Sequence, residues 1–121
     1  MHELPFVMRL LAETDGIARE NGMDRIRRIR LEIGALSGIV PECVSLYFES
    51  ASDGHAAEGA ELEFTETPAL LKCADCGREF PHQPKEAHAA GRDPFLCPAC
   101  GGQGTLVKGT GAGAKLISVE G

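Results

Sequence analysis

The stretches Cys73-Ala74-Asp75-Cys76-Gly77 and Cys97-Pro98-Ala99-Cys100-Gly101 decide how this 121-residue chain is organised. Each is a Cys-x-x-Cys pair followed by glycine, and twenty residues separate the two pairs. A pair at that spacing closes a tight turn with both sulfurs directed at one centre. Glycine after the pair permits the backbone bend that aims amide N–H groups at the thiolates. Two such turns facing each other complete a tetrahedral four-sulfur site, a donor set that suits Zn²⁺. Cys73, Cys76, Cys97 and Cys100 are therefore the expected zinc ligands. With no fifth ligand in either turn the site is closed, which makes its role structural rather than catalytic. Iron is the rival occupant, because the paired turns also resemble those of rubredoxins, which carry electrons. Rubredoxins pack aromatic side chains around the iron, whereas this region holds only Phe80 and Phe95.

Outward from the cysteines, residues 69–109 lack apolar periodicity and concentrate Cys, Pro, Gly and His. Phe80, Phe95, Leu96, Leu106 and Val107 are little material for a core, so metal binding must supply most of the fold there. Periodicity is clear on both sides. Leu4, Val7, Met8, Leu11 and Ala18 recur at helical spacing, with Pro5 suited to the first turn and Asn21-Gly22 to a stop. The run 28–33 alternates polar and apolar as a half-buried strand closed by Gly34. Pro41 starts a second helix with Val40, Val44, Tyr47, Phe48 and Ala51 on one face, ended by Asp53-Gly54. Cys43 on that helix reads as a small buried hydrophobe. Residues 61–65 alternate again and stop near Pro68. Residues 115–120 form a last strand, too short to act alone and expected to return to the first sheet.

The fold class is thus α+β: a small mixed three-stranded sheet packed with two helices, plus an inserted zinc-ribbon-like module. The expected division is a core of residues 1–68 and 110–121 and a module of residues 69–109. Gly109, Gly111 and Gly113 lack the Gly-Lys-Ser/Thr continuation of a phosphate loop, so this segment reads as a hinge or linker. His55, His82 and His88 fall in loops and read as solvated side chains.

Composition narrows the function classes. An apolar share of 43% and a charged share of 25% are those of a soluble globular protein. The formal net charge of −6 argues against a basic face for displacing counterions from phosphates. Trp is absent and Tyr47 is the only tyrosine, so no aromatic surface for stacking bases stands out. Nucleic acid is not an expected partner. No run approaches the roughly 20 apolar residues that span a bilayer. Arg9, Glu13 and Asp15 interrupt the apolar start, so neither a membrane nor a secretory route is expected. The cytoplasm keeps thiols reduced, which favours metal ligation over disulfides for the five cysteines.

The first three residues carry the remaining chemistry. Met1-His2-Glu3 stands at the positive end of the first helix, with which Glu3 can interact. Because His2 is bulky, Met1 is expected to be retained. Its amine, the His2 backbone nitrogen and the His2 imidazole can close adjoining chelate rings on one ion. Nitrogen donors in a plane suit Ni(II) or Cu(II), whereas Zn(II) prefers a tetrahedron.

A chain that begins Met1-His2-Glu3-Leu4, continues as an αβαβ core and carries an inserted Cys-x-x-Cys / Cys-Pro-x-Cys module resembles the HypA family, of which HybF is a close relative. Ile33-Gly34-Ala35-Leu36-Ser37, Val40-Pro41-Glu42 and Phe48-Glu49 carry the same resemblance, which covers essentially the whole chain. Pro84–Arg92 is the apparent insert that lengthens the gap between the cysteine pairs. The resemblance implies a nickel metallochaperone, not an enzyme, that serves maturation of [NiFe]-hydrogenase. It assigns Ni²⁺ as cargo to His2, with the Met1 amine and the adjacent Glu3. It implies delivery to the hydrogenase large-subunit precursor together with the GTPase HypB, and in some relatives service to urease. Self-association is expected to be a weak homodimer at most. A zinc-ribbon adaptor or regulatory module is the alternative, and a rubredoxin-like electron carrier stands behind it.

Overall fold

The computed structural model describes residues 3–121, so Met1 and His2 lie outside the described residues. Helix α1 (Glu3–Glu20) buries Phe6, Val7, Leu10, Leu11, Thr14 and Ala18, an apolar stripe at the helical repeat. Thr14 sits in that stripe because its hydroxyl donates to the Leu10 carbonyl at 3.0 Å. Leu4 and Met8, expected on this face, are 46% and 51% exposed. They flank the buried arc, which Phe6 and Leu10 shift to one side.

Strand β1 (Arg28–Gly34) buries Ile29, Leu31 and Ile33 against the helices. Helix α2 (Pro41–Ala51) then crosses to strand β2 (Glu61–Thr67), which pairs with β1 in parallel. A parallel pair cannot be joined by a hairpin, and α2 supplies the crossover it needs. Val44 and Phe48 face the core, while Val40 and Tyr47 are mostly outside it and Cys43 is half-exposed rather than buried. Strand β6 (Ala114–Glu120) adds to the other side of β1 antiparallel, giving the mixed order β2-β1-β6. The register slips between Arg30 and Leu31, leaving Ile117 without a partner and 51% exposed, as at a β-bulge. On the polar face of this sheet Arg28 and Arg30 lie 3.0 to 3.8 Å from carboxylates of Glu61, Glu63 and Glu120.

A second sheet occupies the cysteine region. Strands β3 (Leu70–Cys73), β4 (Glu79–Pro81) and β5 (Gly104–Leu106) pair antiparallel in the order β4-β3-β5. Between β4 and β5 lies the short helix α3 (Pro84–Ala89), so His88 is helical and exposed rather than in a loop. Strands of three and four residues are too short to show a period, which is why the sequence displays none.

The glycine segment, expected as a hinge or linker, packs against the end of β1. Gly34 N–H donates to the Gly113 carbonyl at 2.8 Å, and Leu36 N–H to the Gly111 carbonyl at 2.7 Å. A Cβ on Gly34 would collide with the Gly111 backbone, and one on Gly111 would lie 2.9 Å from the Ala69 backbone. Gly111 also has φ +70, a conformation that favours glycine. Three stretches of backbone therefore pack directly on one another where the chain passes between the two sheets.

Candidate metal centre

Cys73 ends β3 and opens a turn closed by the Gly77 N–H donating to the Cys73 carbonyl at 3.1 Å. The amides of Asp75 and Cys76 both point at the Cys73 sulfur, each at 3.4 Å. The second turn repeats the design, with Gly101 N–H donating to the Cys97 carbonyl at 2.8 Å. Gly77 and Gly101 take φ +74 and +77, the left-handed bend that glycine allows without penalty. Ala74 N–H donates to the Gln103 carbonyl at 3.0 Å and binds the two turns together.

All four sulfurs lie within 4.8 Å of one another. Cys73 Sγ is 3.4 Å from Cys100 Sγ, and Cys76 Sγ is 3.7 Å from Cys97 Sγ. A tetrahedron with zinc–sulfur bonds of about 2.3 Å has edges of about 3.8 Å, so the cluster already approximates the shape that the ion requires. Cys73 and Cys97 are buried, while Cys76 and Cys100 are exposed. The cluster therefore sits at the surface with one sulfur of each pair facing inward.

The thiols differ in acidity. The Cys76 amide above all, helped by that of Asp75 and opposed by burial, brings Cys73 down to about 7. The Cys100 amide, together with that of Ala99 and again opposed by burial, lowers Cys97. At Cys100 the Gly102 amide favours the thiolate, but the sulfurs of Cys73 and Cys76 outweigh it and push the group up to about 12. Four thiolates cannot coexist at this distance without a cation. Cys73, Cys76, Cys97 and Cys100 would hold a divalent metal, which would supply the missing charge in place of the remaining protons.

Other expected site residues fall differently. His55 is not simply solvated: its Nδ1 lies 2.6 Å from Asp15 Oδ2, with both side chains about one-third exposed at 32%. Asp15 Oδ1 also accepts the Ala56 N–H at 3.0 Å, which ties α1 to the loop after α2. Burial works against that carboxylate, yet the Ala56 amide and His55 together hold Asp15 below its ordinary value. His82 is half-buried, its ring 4.7 Å from that of Phe95 and its Nε2 without a partner among the described residues. Neither His82 nor His88 joins the sulfur cluster. Glu3 is the first residue of α1 and is half-buried; the Met1 amine and His2 lie outside the described residues. No helix among the described residues is long and apolar enough to cross a membrane.

An α+β core bearing a closed four-cysteine cluster on a small second sheet defines a class, the small metal-handling proteins with a ribbon-like metal module. Residues 1–120 match the family described as "Hydrogenase/urease nickel incorporation, metallochaperone, hypA". The hydrogenase maturation factor HypA of Moorella thermoacetica is 37% identical over 110 residues, covering 90% of each chain. That of Solidesulfovibrio magneticus is 37% identical over 122 residues, covering 99% of this chain and 100% of its own. The solution structure of the nickel metallochaperone HypA from Helicobacter pylori superposes with a TM-score of 0.62 at 23% identity, over 99% of this chain and 97% of that one, so the fold is shared. The chain belongs to the HypA family of nickel-incorporation metallochaperones.

Proposed function

We propose that this chain carries Ni(II) on its Met1-His2-Glu3 terminus and delivers it to the [NiFe]-hydrogenase large-subunit precursor, working with the GTPase HypB in the cytoplasm. The observation that carries the reading is the family match over residues 1–120, joined to a four-sulfur cluster built as a closed site. Cys73, Cys76, Cys97 and Cys100 hold one structural Zn²⁺. Aromatic cover of the kind rubredoxins use for iron is thin here, since Phe80 is buried but Phe95 is 46% exposed. Residues 1–68 and 110–121 act as the nickel-carrying core and residues 69–109 as the zinc module. The protein is a carrier rather than an enzyme.

At the nickel site the Met1 amine, the His2 backbone nitrogen and the His2 imidazole supply nitrogen donors in a plane. Such a terminal site is open, as release of a cargo requires. Glu3 stands next to it at the start of α1, where its charge favours the helix dipole. Calorimetric titration of zinc-loaded protein with Ni(II) tests this reading. His2→Ala, and separately an extension before Met1, should each abolish stoichiometric binding while leaving zinc content and fold intact. One change removes the imidazole and the other turns the amine into an amide. Equal affinity in all three proteins refutes the site. Affinity should also fall with pH below the imidazole and amine values of roughly 6.5 and 7.7–8, because protons compete for the same nitrogens.

A further inference from the structure

Two glycines follow the second cysteine pair, and only the first is explained by its backbone. Gly101 has φ +77, whereas Gly102 is not among the positive-φ glycines. Gly102 instead has no room for a side chain. A Cβ there would lie 2.5 Å from Asp75 Oδ2 and 2.7 Å from Cys73 Sγ. The exposed Asp75 carboxylate can swing aside, and the Asp75 Cβ, 3.1 Å away, would have to give by only a few tenths of an ångström. Cys73 is 2% exposed, and its sulfur is fixed by two amides and by Cys100 Sγ, all at 3.4 Å. The backbone of Gly102 is engaged as well. Its carbonyl accepts the Cys97 N–H at 2.8 Å. Cys73 and Cys97, one from each cysteine turn, thus meet on the backbone of residue 102.

We propose that Gly102 is a positioning residue: its bare backbone lets the two cysteine turns close on each other, and that closeness sets the metal affinity of the cluster. The inference rests on the reading of the four cysteines as a metal site. It explains a glycine that backbone conformation does not require, and it places a determinant of metal binding on a residue that is not a ligand.

The test uses the full chain with Co²⁺ as the probe, whose thiolate charge-transfer and d–d bands report a four-sulfur tetrahedron, followed by Zn²⁺ competition against a chelator. Gly102→Ala should weaken metal binding about 10- to 100-fold and shift the cobalt bands. Lys85→Ala, a change at an exposed residue of α3 in the same region, should keep the wild-type affinity and band positions. The double change Asp75→Ala/Gly102→Ala should be as weak as Gly102→Ala, since the sulfur contact remains. A Gly102→Ala chain that takes up no cobalt, while Lys85→Ala still does, supports the proposal just as weakened binding does. Three results overturn the proposal: wild-type affinity and spectrum in Gly102→Ala, the same loss and band shift in Lys85→Ala, or rescue by Asp75→Ala. Absence of a four-thiolate cobalt spectrum in the unsubstituted chain would instead sink the metal reading itself.

Discussion

The two sheets of this molecule are similar in strand number and opposite in what holds them. Around the sheet β2-β1-β6, thirteen hydrophobic residues from α1, α2, β1 and their loops are buried together, with Leu62, Phe64, Leu116 and Val119 packed at the margin. Around β4-β3-β5 the buried cluster is Leu71, Phe80, Cys73 and Cys97, so half of it is thiol. Burying one large aliphatic or aromatic side chain contributes about 1.5–3 kcal/mol. Ordering the backbone of each residue costs about 1–2 kcal/mol. Leu71 and Phe80 cannot offset that cost for a region of some forty residues. The first sheet is thus held by the hydrophobic effect, whereas the second has a four-sulfur cluster where a bound metal would supply what its small core lacks.

The largest expected effect follows from that difference. Cys73→Ala, or exhaustive chelation of the unsubstituted chain, removes a contribution of the order of 10–16 kcal/mol, as for structural zinc in small modules. Strands β3, β4 and β5 should lose amide protection and chemical-shift dispersion, while the amides of β1, α1 and α2 keep theirs. Collapse of both sheets together would break the comparison, and would show that the packing of Gly34, Gly111 and Ala69 transmits the loss. Replacement at the other sheet should give the mirror result. Leu31 is 1% exposed on the central strand. Leu31→Ala should lower the stability of the core by about 2–5 kcal/mol, read as a shift in denaturant midpoint, with zinc affinity of the folded protein unchanged.

The same contrast explains how much of the molecule is legible in its sequence. The elements of the first sheet are long enough to show a period of 3.6 or 2, so their order, their approximate ends and the return of the last strand are legible. The edges of the buried arc are not. Whether Met8 or Leu10 faces inward depends on where α2 and the sheet press on α1, and that is a tertiary fact. In the second sheet the convergence of Cys73, Cys76, Cys97 and Cys100 is legible because the spacing within and between the two pairs is that of facing turns. Its strands are not, since a three-residue strand has no pattern to detect. Gly102 is inconspicuous beside Gly101, and the doubled glycine is its only signal. The pairing of His55 with Asp15 joins residues forty positions apart, and nothing local to either one announces it.

That pair sharpens the comparison at its smallest scale, because it belongs to the core and should be indifferent to metal. Asp15 accepts from Ala56 N–H and lies 2.6 Å from His55 Nδ1, and its carboxyl is held below the ordinary value of 3.8. A depressed carboxylate contributes stability that is fully present above its unfolded value and is lost as pH falls through the lower folded one. Asp15→Asn should therefore cost about 1 kcal/mol at neutral pH, a figure kept low because both groups are partly solvated. The deficit should shrink toward zero in acid, as pH falls below the ordinary carboxylate range and the native carboxylate also takes up its proton. Denaturant titrations at both pH values, followed on core amides of α1 and β1, check this on the zinc-loaded and the chelated chain. Protons would displace zinc from the four sulfurs at the acid end, so the two curves should converge there, while at neutral pH the Asp15 deficit should be equal with and without metal. A deficit that persists unchanged in acid would mean that side-chain shape, not carboxylate charge, ties α1 to the loop. One that vanishes on chelation at neutral pH would mean that the core and the cysteine region are not separately held.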